Sequence, residues 1–473
     1  QHKIGWYIII VFLSLLQLNF KMKKSKFCVL LSIFFFFSCN EDDDLSLNEI
    51  DNILETFKEY VSSNNHSSDY IYDQNKLHRF DLYLSDENLE KINSDPAAEN
   101  YVEGSLVFEN KIINDVGIRY KGSIGAWVGC LSNDDWTNPS GYKTCPKLSM
   151  KIKINWRDDK TFYGLKKLQF HSQNLDPSKM HERLGYWMFR KFGVPTARST
   201  HAVLYINGEF NGIFANTENI DGPFTDKHFE NGDGNLYKEV WPINSNGTVN
   251  SENYFIDGLK TNEEMADVSK IIKFGTEVQN ASGNNIHQIV DNWMDIDQFL
   301  KNIVVDRRIA NDDGFLHWYE NDENYYSSHN YYWYESELNE EIQLIPWDLD
   351  NAFENLITDV NPVTPIKDNW YETTANCNGF RHGLFLIKQK SAACDKIIGS
   401  FITYKNRYDS LDNVFKEQHF NMSNINNLLS QWSNQIEDAI KEANQKFGNA
   451  EINVTNWKGE IEKLKTQIEL SLN

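Results

Sequence analysis

The chain has 473 residues, 46 Lys plus Arg against 68 Asp plus Glu, and a formal charge of -22. A hydrophobic content of 40% with 14% aromatics excludes a disordered chain. The acidic balance excludes a nucleic-acid backbone as the main partner, because no broadly basic surface is available to displace counterions.

Two apolar runs open the sequence, Trp6 to Leu16 and Phe27 to Phe37. Lys21, Lys23, Lys24 and Lys26 precede the second, and Ser38-Cys39 follows it. A positive segment, an apolar run of 11 residues and a small residue have the anatomy of an export signal. The run is too short to cross a bilayer as a helix. Met22 is a natural start, which would make residues 1–21 an upstream extension. Cys39 resembles the lipidated cysteine of bacterial lipoproteins. The acidic stretch Asn40 to Asp44 resembles the surface-export signal of some Gram-negative lipoproteins, and it also reads as a solvated linker. The expected setting is therefore the cell envelope, with a lipid anchor on Cys39 in the outer membrane and the protein facing outward. Cleavage before Cys39 removes five Lys and no acid, leaving 41 basic against 68 acidic residues and a charge of -27. Anionic headgroups repel such a chain, so the acyl group would hold it at the membrane.

Cysteine usage agrees with export. Cys28 leaves with the signal and Cys39 takes lipid, so Cys130, Cys145, Cys377 and Cys394 remain and allow three pairings. The local pairing, Cys130 with Cys145 and Cys377 with Cys394, closes short loops worth about 3 kcal/mol each. Zinc is the rival reading, and no C-x-x-C spacing favours it.

Residues 39–78 read as an acidic tether with one short amphipathic helix carried by Leu47, Ile50, Ile53, Leu54, Phe57 and Val61. From Phe80 the pattern alternates, which predicts a strand to Leu84, and Ser85 then reads as a helix cap. Further strands are expected at Gly104–Glu109, Val116–Lys121, Leu148–Ile154 and Leu168–His171, with Tyr142–Cys145 as a loop end. Asp176-Pro177-Ser178 starts a helix over Lys179–Phe192, which Gly193 and Pro195 stop. Asn207-Gly208 between two apolar runs predicts a hairpin, and Asn235–Lys238 adds a short strand. The second half carries helical spacing at Glu263–Val278, Ile286–Val290, Met294–Ala310, Asn424–Phe447 and Asn456–Leu472. Between these lie strand-like pieces at Asn330–Tyr334 and Ile342–Ile345. The expected architecture is α+β: a sheet-rich N-lobe over 79–240 and a helical C-lobe over 241–473.

The richest segment is Asn311–Phe353. It holds Asn311-Asp312-Asp313-Gly314-Phe315, then His329-Asn330-Tyr331-Tyr332, then Pro346-Trp347-Asp348-Leu349-Asp350-Asn351-Ala352-Phe353. In this order the sequence resembles the CotH kinase-like family, named for a spore coat protein. Upstream, Gly117-Ile118-Arg119-Tyr120-Lys121-Gly122-Ser123, Leu148 to Lys153, Glu182, Phe192-Gly193-Val194-Pro195, Tyr205-Ile206-Asn207-Gly208 and Gly234 to Lys238 fit the same family. The resemblance covers roughly residues 78–420 and implies a diverged, two-lobed protein-kinase-like fold that uses ATP.

The resemblance implies roles as well. Phosphoryl transfer asks the protein for positioning and charge neutralisation. Asp313 is the candidate catalytic carboxylate, with Asp312 able to exchange roles; Asp306, inside a helix, reads as structural. Asp348 is the candidate magnesium ligand, helped by Asn330 and Asp350, since Mg²⁺ takes oxygen donors and shares phosphate oxygens. Lys151 is the candidate phosphate-contacting lysine, and strand alternation leaves Lys153 equally placed. Glu182 would pair with that lysine. Arg119 and Lys121 share one face of their strand, Lys238 stands near the lobe junction, and Trp347 would stack on adenine or sit in the core. No Asp-Phe-Gly and no G-x-G-x-x-G loop is present.

Two functions follow. One is an exported phosphotransferase moving the ATP γ-phosphate to a protein hydroxyl, such as a serine, with Mg²⁺. The other is a surface-displayed adhesion module with an inactive kinase-like fold, its aromatics suited to glycans.

Overall fold

The computed structural model describes residues 47–61, 67–122, 124–127, 129–133, 135, 138–283, 285–311, 313–320, 325–339, 341–353, 370, 377, 379–382 and 387–472. The signal, Cys39, the acidic run after it and Asp312 lie outside the described residues.

The tether helix spans Leu47–Leu54 and stops before Val61, which is exposed. A two-residue strand, β1 (Lys58–Glu59), follows it. The predicted alternation then appears as β2 (His78–Tyr83), β3 (Val102–Phe108) and β4 (Lys111–Tyr120). Ser85 does cap a helix, Asp86–Ser94, accepting the Asn88 N–H at 3.2 Å. Next come β5 (Leu131–Asn133), β6 (Ser140–Lys143), β7 (Met150–Lys153), β8 (Lys167–His171), β9 (Ser199–Ile206) and β10 (Glu209–Thr217). The stretch read as a loop end at Tyr142–Cys145 is partly strand, because β6 pairs back onto β5. The Cys130–Cys145 disulfide closes that ribbon, and Cys377 joins Cys394.

The large sheet runs β1-β4-β3-β2-β9-β10-β8-β7, and β4 also pairs with β7. That second pairing uses Gly117 to Tyr120, the far half of a long strand whose near half lies beside β1. Seven strands therefore close into a barrel, with β1 as an added edge. Closure removes the sheet's free edges. Inward residues such as Phe80, Leu106, Ile118, Met150, Leu168 and Phe170 fill the interior. Their neighbours one residue on, Arg119, Lys151, Lys153 and Lys167, point outward by the two-residue period. The β9–β10 hairpin turns on Asn207 and Gly208, both at positive φ, as its sequence predicts.

The His181–Lys191 helix buries nearly all its faces between the barrel and the rest of the molecule. Its core continues into the carboxy-terminal helices Met422–Phe447 and Val454–Leu472. A second sheet, β11 (Asn235–Lys238), β14 (Tyr331–Glu335) and β15 (Ile342–Pro346), lies on the helical side. Between its members in sequence come β12 (Trp318–Glu320) and β13 (Tyr326–Ser327), which with β16 (Phe380–His382) and β17 (Ile387–Lys390) form a further sheet in the order β13-β12-β17-β16. The helix expected over Glu263–Val278 is broken: a single 3-10 turn at Glu263–Met265 precedes a helix at Ser269–Asn280. Asp267 between them accepts the Ser269 N–H at 3.0 Å, which favours a turn over helix continuation. Among the described residues no helix is long and apolar enough to cross a membrane.

Candidate functional site

Three turns deliver the motif residues to one place, each with a non-glycine residue at positive φ: Asp313 (75°), Asn330 (61°) and Asp348 (56°). Asn and Asp tolerate this region best among L-residues, and such outliers gather at functional sites.

The first turn follows the helix Ile296–Arg308, which Asp295 caps by accepting the Gln298 N–H at 3.0 Å. Asp306 is fully buried and holds the turn. It accepts Arg307 Nη2 at 2.6 Å and Asn311 Nδ2 at 2.8 Å. Asp306 is thus a structural anchor. Gly314 lies so close that a Cβ there would stand 2.3 Å from Asn311 Nδ2. Asp313 follows with its carboxylate enclosed by donors. Tyr319 donates to Oδ1 at 2.8 Å, His329 Nε2 contacts the same oxygen, and Asn330 Nδ2 donates to Oδ2 at 3.1 Å and to the Asp313 carbonyl at 2.9 Å. Burial works to raise the Asp313 carboxyl, but His329, Tyr319 and Asn330 hold it below the usual range. His329 is held above its ordinary value despite burial, because Asp313, Glu239 and Asp348 all face it.

The β14–β15 register supplies the second and third turns. Tyr331 pairs with Pro346, and one step further the Trp347 N–H donates to the Asn330 carbonyl at 3.0 Å. Asn330 and Asp348 therefore leave the same end of one hairpin. The Asp348 N–H donates to Tyr186 Oη at 3.1 Å, fixing the turn to the His181–Lys191 helix. Among the described residues, neither the Asp348 nor the Asp350 side chain accepts a hydrogen bond or an ion pair. Burial raises the Asp348 carboxyl against the opposing pull of His171 and Lys121. Asp350 is pushed well up by burial and by Asp348, Glu182, Asp313 and Asp176 around it.

The barrel's outer face forms the opposite wall. Lys121 Nζ meets His171 Nε2 at 2.8 Å and donates to Gln169 Oε1 at 3.2 Å. Burial lowers this ammonium, while Asp348 and Glu182 pull it back up. Glu182 does not pair with Lys151 or Lys153 as expected. Its Oε1 meets His171 Nδ1 at 2.6 Å and accepts Thr217 Oγ1 at 2.7 Å, because strand register sets His171, not a β7 lysine, opposite the helix. Its Oε2 is buried without a hydrogen-bond partner among the described residues. Lys151 lies one strand pair away, opposite Arg119 and Gln169. Burial and the cations Lys121, Lys167 and Arg119 bring it down to about 7. Arg119 turns to Glu99 at 2.5 Å and to the Tyr101 ring. Lys238 Nζ stands 3.7 Å from Glu239 and acts on both Asp348 and Lys121. Trp347 is 6% exposed, packed edge-on against His171 and Tyr332 and tilted against Tyr186.

The structure thus brings together Asp313, Asn330, Asp348, Asp350, Glu182, Lys238 and Trp347, and sets Arg119 and Lys151 further along the barrel wall. Sequence reasoning assigned no role to His171, His329, Tyr319 or Glu239. His329 stood in the quoted motif, and His171 shares the outward face of β8 with Lys167. Glu239 accepts the Asn330 N–H at 3.3 Å and had no signal beyond following Lys238. Carboxylates and an amide gathered opposite cations can bind an anion and handle a proton beside it. Among the described residues, no three His, Cys, Asp or Glu side chains form a ready metal cage.

A family model described as CotH kinase protein matches residues 118–471. The chain is 36% identical over 66 residues to the inner spore coat protein H-like protein of Bacillus subtilis (strain 168), covering 14% of this chain and about a fifth, 21%, of that protein. It is 21% identical over 289 residues to the inner spore coat protein H of the same organism, 59% of this chain and 69% of that one.

Proposed function

The chain belongs to the CotH kinase protein family, and from that premise we propose that it transfers the ATP γ-phosphate to a protein hydroxyl, such as a serine, with Mg²⁺. The observation that carries the reading is the hydrogen-bonded join of Asn330 to Asp313, with the Asn330 carbonyl tied to Trp347 beside Asp348. That join couples a candidate base to a candidate metal site.

The residues suit the metal. Asp348 and Asp350 are two half-buried carboxylates with no hydrogen-bond partner among the described residues, and each is raised by its surroundings. Unpaired carboxylates drawn out of water in this way are normally relieved by a cation. The donors are oxygens, which Mg²⁺ prefers, and such an ion keeps waters and shares phosphate oxygens. Asp348 and Asp350 would hold the ion, with the Asn330 amide oxygen. Bound there, it would neutralise charge on the phosphates. Asp313 would accept the acceptor's proton, oriented by Asn330, Tyr319 and His329. Lys121 and Lys238 would face the phosphates, with Lys151 and Arg119 adding positive charge further along the same wall. Trp347 is buried, so its share in nucleotide binding would be confined to an edge.

Export belongs to the same proposal. Two disulfides suit an oxidising compartment, and both relatives are named for the inner spore coat. The lipid anchor on Cys39 and outer-membrane display extend this reading.

The test is Mg²⁺-dependent transfer of labelled phosphate from ATP to a protein panel, with Asp313→Ala as control. Transfer that this variant loses supports the reading. Binding of glycans without any Mg-ATP would favour the adhesion module.

A further inference from the structure

No ion pair joins the Glu182 carboxylate to the Lys121 ammonium among the described residues; an imidazole stands between them. His171 Nδ1 lies 2.6 Å from Glu182 Oε1, and its Nε2 lies 2.8 Å from Lys121 Nζ. An ammonium can only donate, so Nε2 must be the unprotonated, accepting nitrogen. Nδ1 then carries the proton and donates it to Glu182. The two neighbours thereby fix which ring nitrogen faces which partner.

Each end of this chain is held. Thr217 donates to Glu182 Oε1 at 2.7 Å, and Glu182 is almost fully buried in the first turn of its helix. Lys121 also donates to Gln169 Oε1 at 3.2 Å. The Gln169 amide nitrogen donates to the Glu218 carbonyl at 3.1 Å, which sets its oxygen toward the lysine. Two of the three Lys121 donors are thereby committed. The third is uncommitted among the described residues; the Trp347 ring lies 5.7 Å from Nζ, and Asp348 acts on the ammonium.

We propose that His171 is a positioning residue: it transmits the Glu182 carboxylate to Lys121 through two hydrogen bonds and aims the remaining Lys121 N–H at the nucleotide phosphates. This rests on the phosphotransferase reading above. It differs from a direct carboxylate–lysine pair in making phosphate binding depend on an imidazole held between the two.

The experiment uses the full chain in Mg²⁺-dependent transfer, with KM for ATP and kcat measured separately for the wild type, H171A, K121A and the double variant. H171A should raise KM for ATP about tenfold with kcat little changed. Added free imidazole should restore KM in H171A. The double variant should be no worse than K121A, since both changes remove one interaction. Should H171A fail to fold, H171F, which fills the ring's space without either nitrogen, carries the same KM expectation. A packing role alone would lower the melting temperature without imidazole rescue, and that result overturns the proposal. So does a KM for H171A equal to that of a wild type that transfers phosphate, which leaves the functional reading standing. A wild type that neither binds Mg-ATP nor transfers phosphate overturns the functional reading and this proposal together.

Discussion

The side-chain amide of Asn330 donates to both the carbonyl and the carboxylate of Asp313, at 2.9 and 3.1 Å. A sequence separation of 17, including β12 and β13, is bridged by that one side chain. It fixes the angle at which the carboxylate enters the cleft, and the other face of Asn330 is fixed by the hairpin.

The first prediction concerns this pair. Asp313→Ala should lower kcat by about 10²–10⁴, the usual worth of a placed general base. Asn330→Ala should lower it by up to about 100-fold, the equivalent of one hydrogen bond to a charged group. Steady-state phosphate transfer with matched circular-dichroism spectra is the check. Full activity in Asp313→Ala would remove it from the mechanism.

Trp347 allows a second prediction. Its ring is buried among His171, Tyr186 and Tyr332, so truncation empties space between the lobes. Trp347→Ala should cost about 3–5 kcal/mol of stability in urea unfolding. Trp347→Phe should cost much less. A Trp347→Ala protein of unchanged stability but weakened ATP binding would assign the ring to the nucleotide instead.

The acid limb of stability is a third. Glu218 is buried, and Arg198 bonds it at 3.0 Å through Nε, with a further contact at 2.5 Å. Burial would raise this carboxyl, but His228 and Arg198 bring it down to about 2. A carboxylate lowered in the folded state stabilises fully above its unfolded pKa, and loses that contribution as pH falls through its folded one. The window is therefore pH 4.5 down to about 2. Its size is on the order of 3 kcal/mol. Glu218→Gln should be less stable at neutral pH and lose less further stability on acidification, as denaturant titrations across that range would read. Parallel pH curves for the two proteins would contradict the assignment.

The disulfides give a fourth. Cys130–Cys145 and Cys377–Cys394 close loops of sequence separation 15 and 17. Each should contribute about 3 kcal/mol. Paired Cys→Ser variants should lower the melting temperature even without reductant, and a reductant should bring the wild type to a similar value.

How much was legible in the sequence varies with how local the signal is. The β9–β10 hairpin was readable because Asn207-Gly208 sets its turn, and the Ser85 helix because its cap is three residues from its target. The motif order around Asp313, Asn330 and Asp348 pointed to one site because a hairpin separates two of them. Barrel closure was not readable. It depends on β4 being long enough to serve β3 along its length and β7 at its end, a non-local pairing with no composition signal. Lys151 and Lys153 stayed unseparated for the same reason, and Lys121 was read only as sharing a strand face with Arg119. Alternation puts side chains on a face but does not rank them along it. Register does: the Lys121 N–H donates to the Ser149 carbonyl at 2.8 Å, two residues beyond the Arg119–Lys151 pair, and so reaches the His171 end. The helix Lys405–Gln418 was missed because only Asp412 and Phe415 on it are buried, which leaves almost no apolar stripe to read.

The central claim is that Asp348 and its neighbours hold a divalent ion against nucleotide phosphates beside Asp313. Crystals grown with Mn²⁺ and a non-hydrolysable ATP analogue test it through the anomalous signal of the metal. The account predicts a peak about 2.1 Å from an Asp348 carboxylate oxygen, with analogue phosphate oxygens completing the coordination. Nucleotide bound with its metal away from Asp348, or no metal peak in this cleft at saturating Mn²⁺ and analogue, would contradict it.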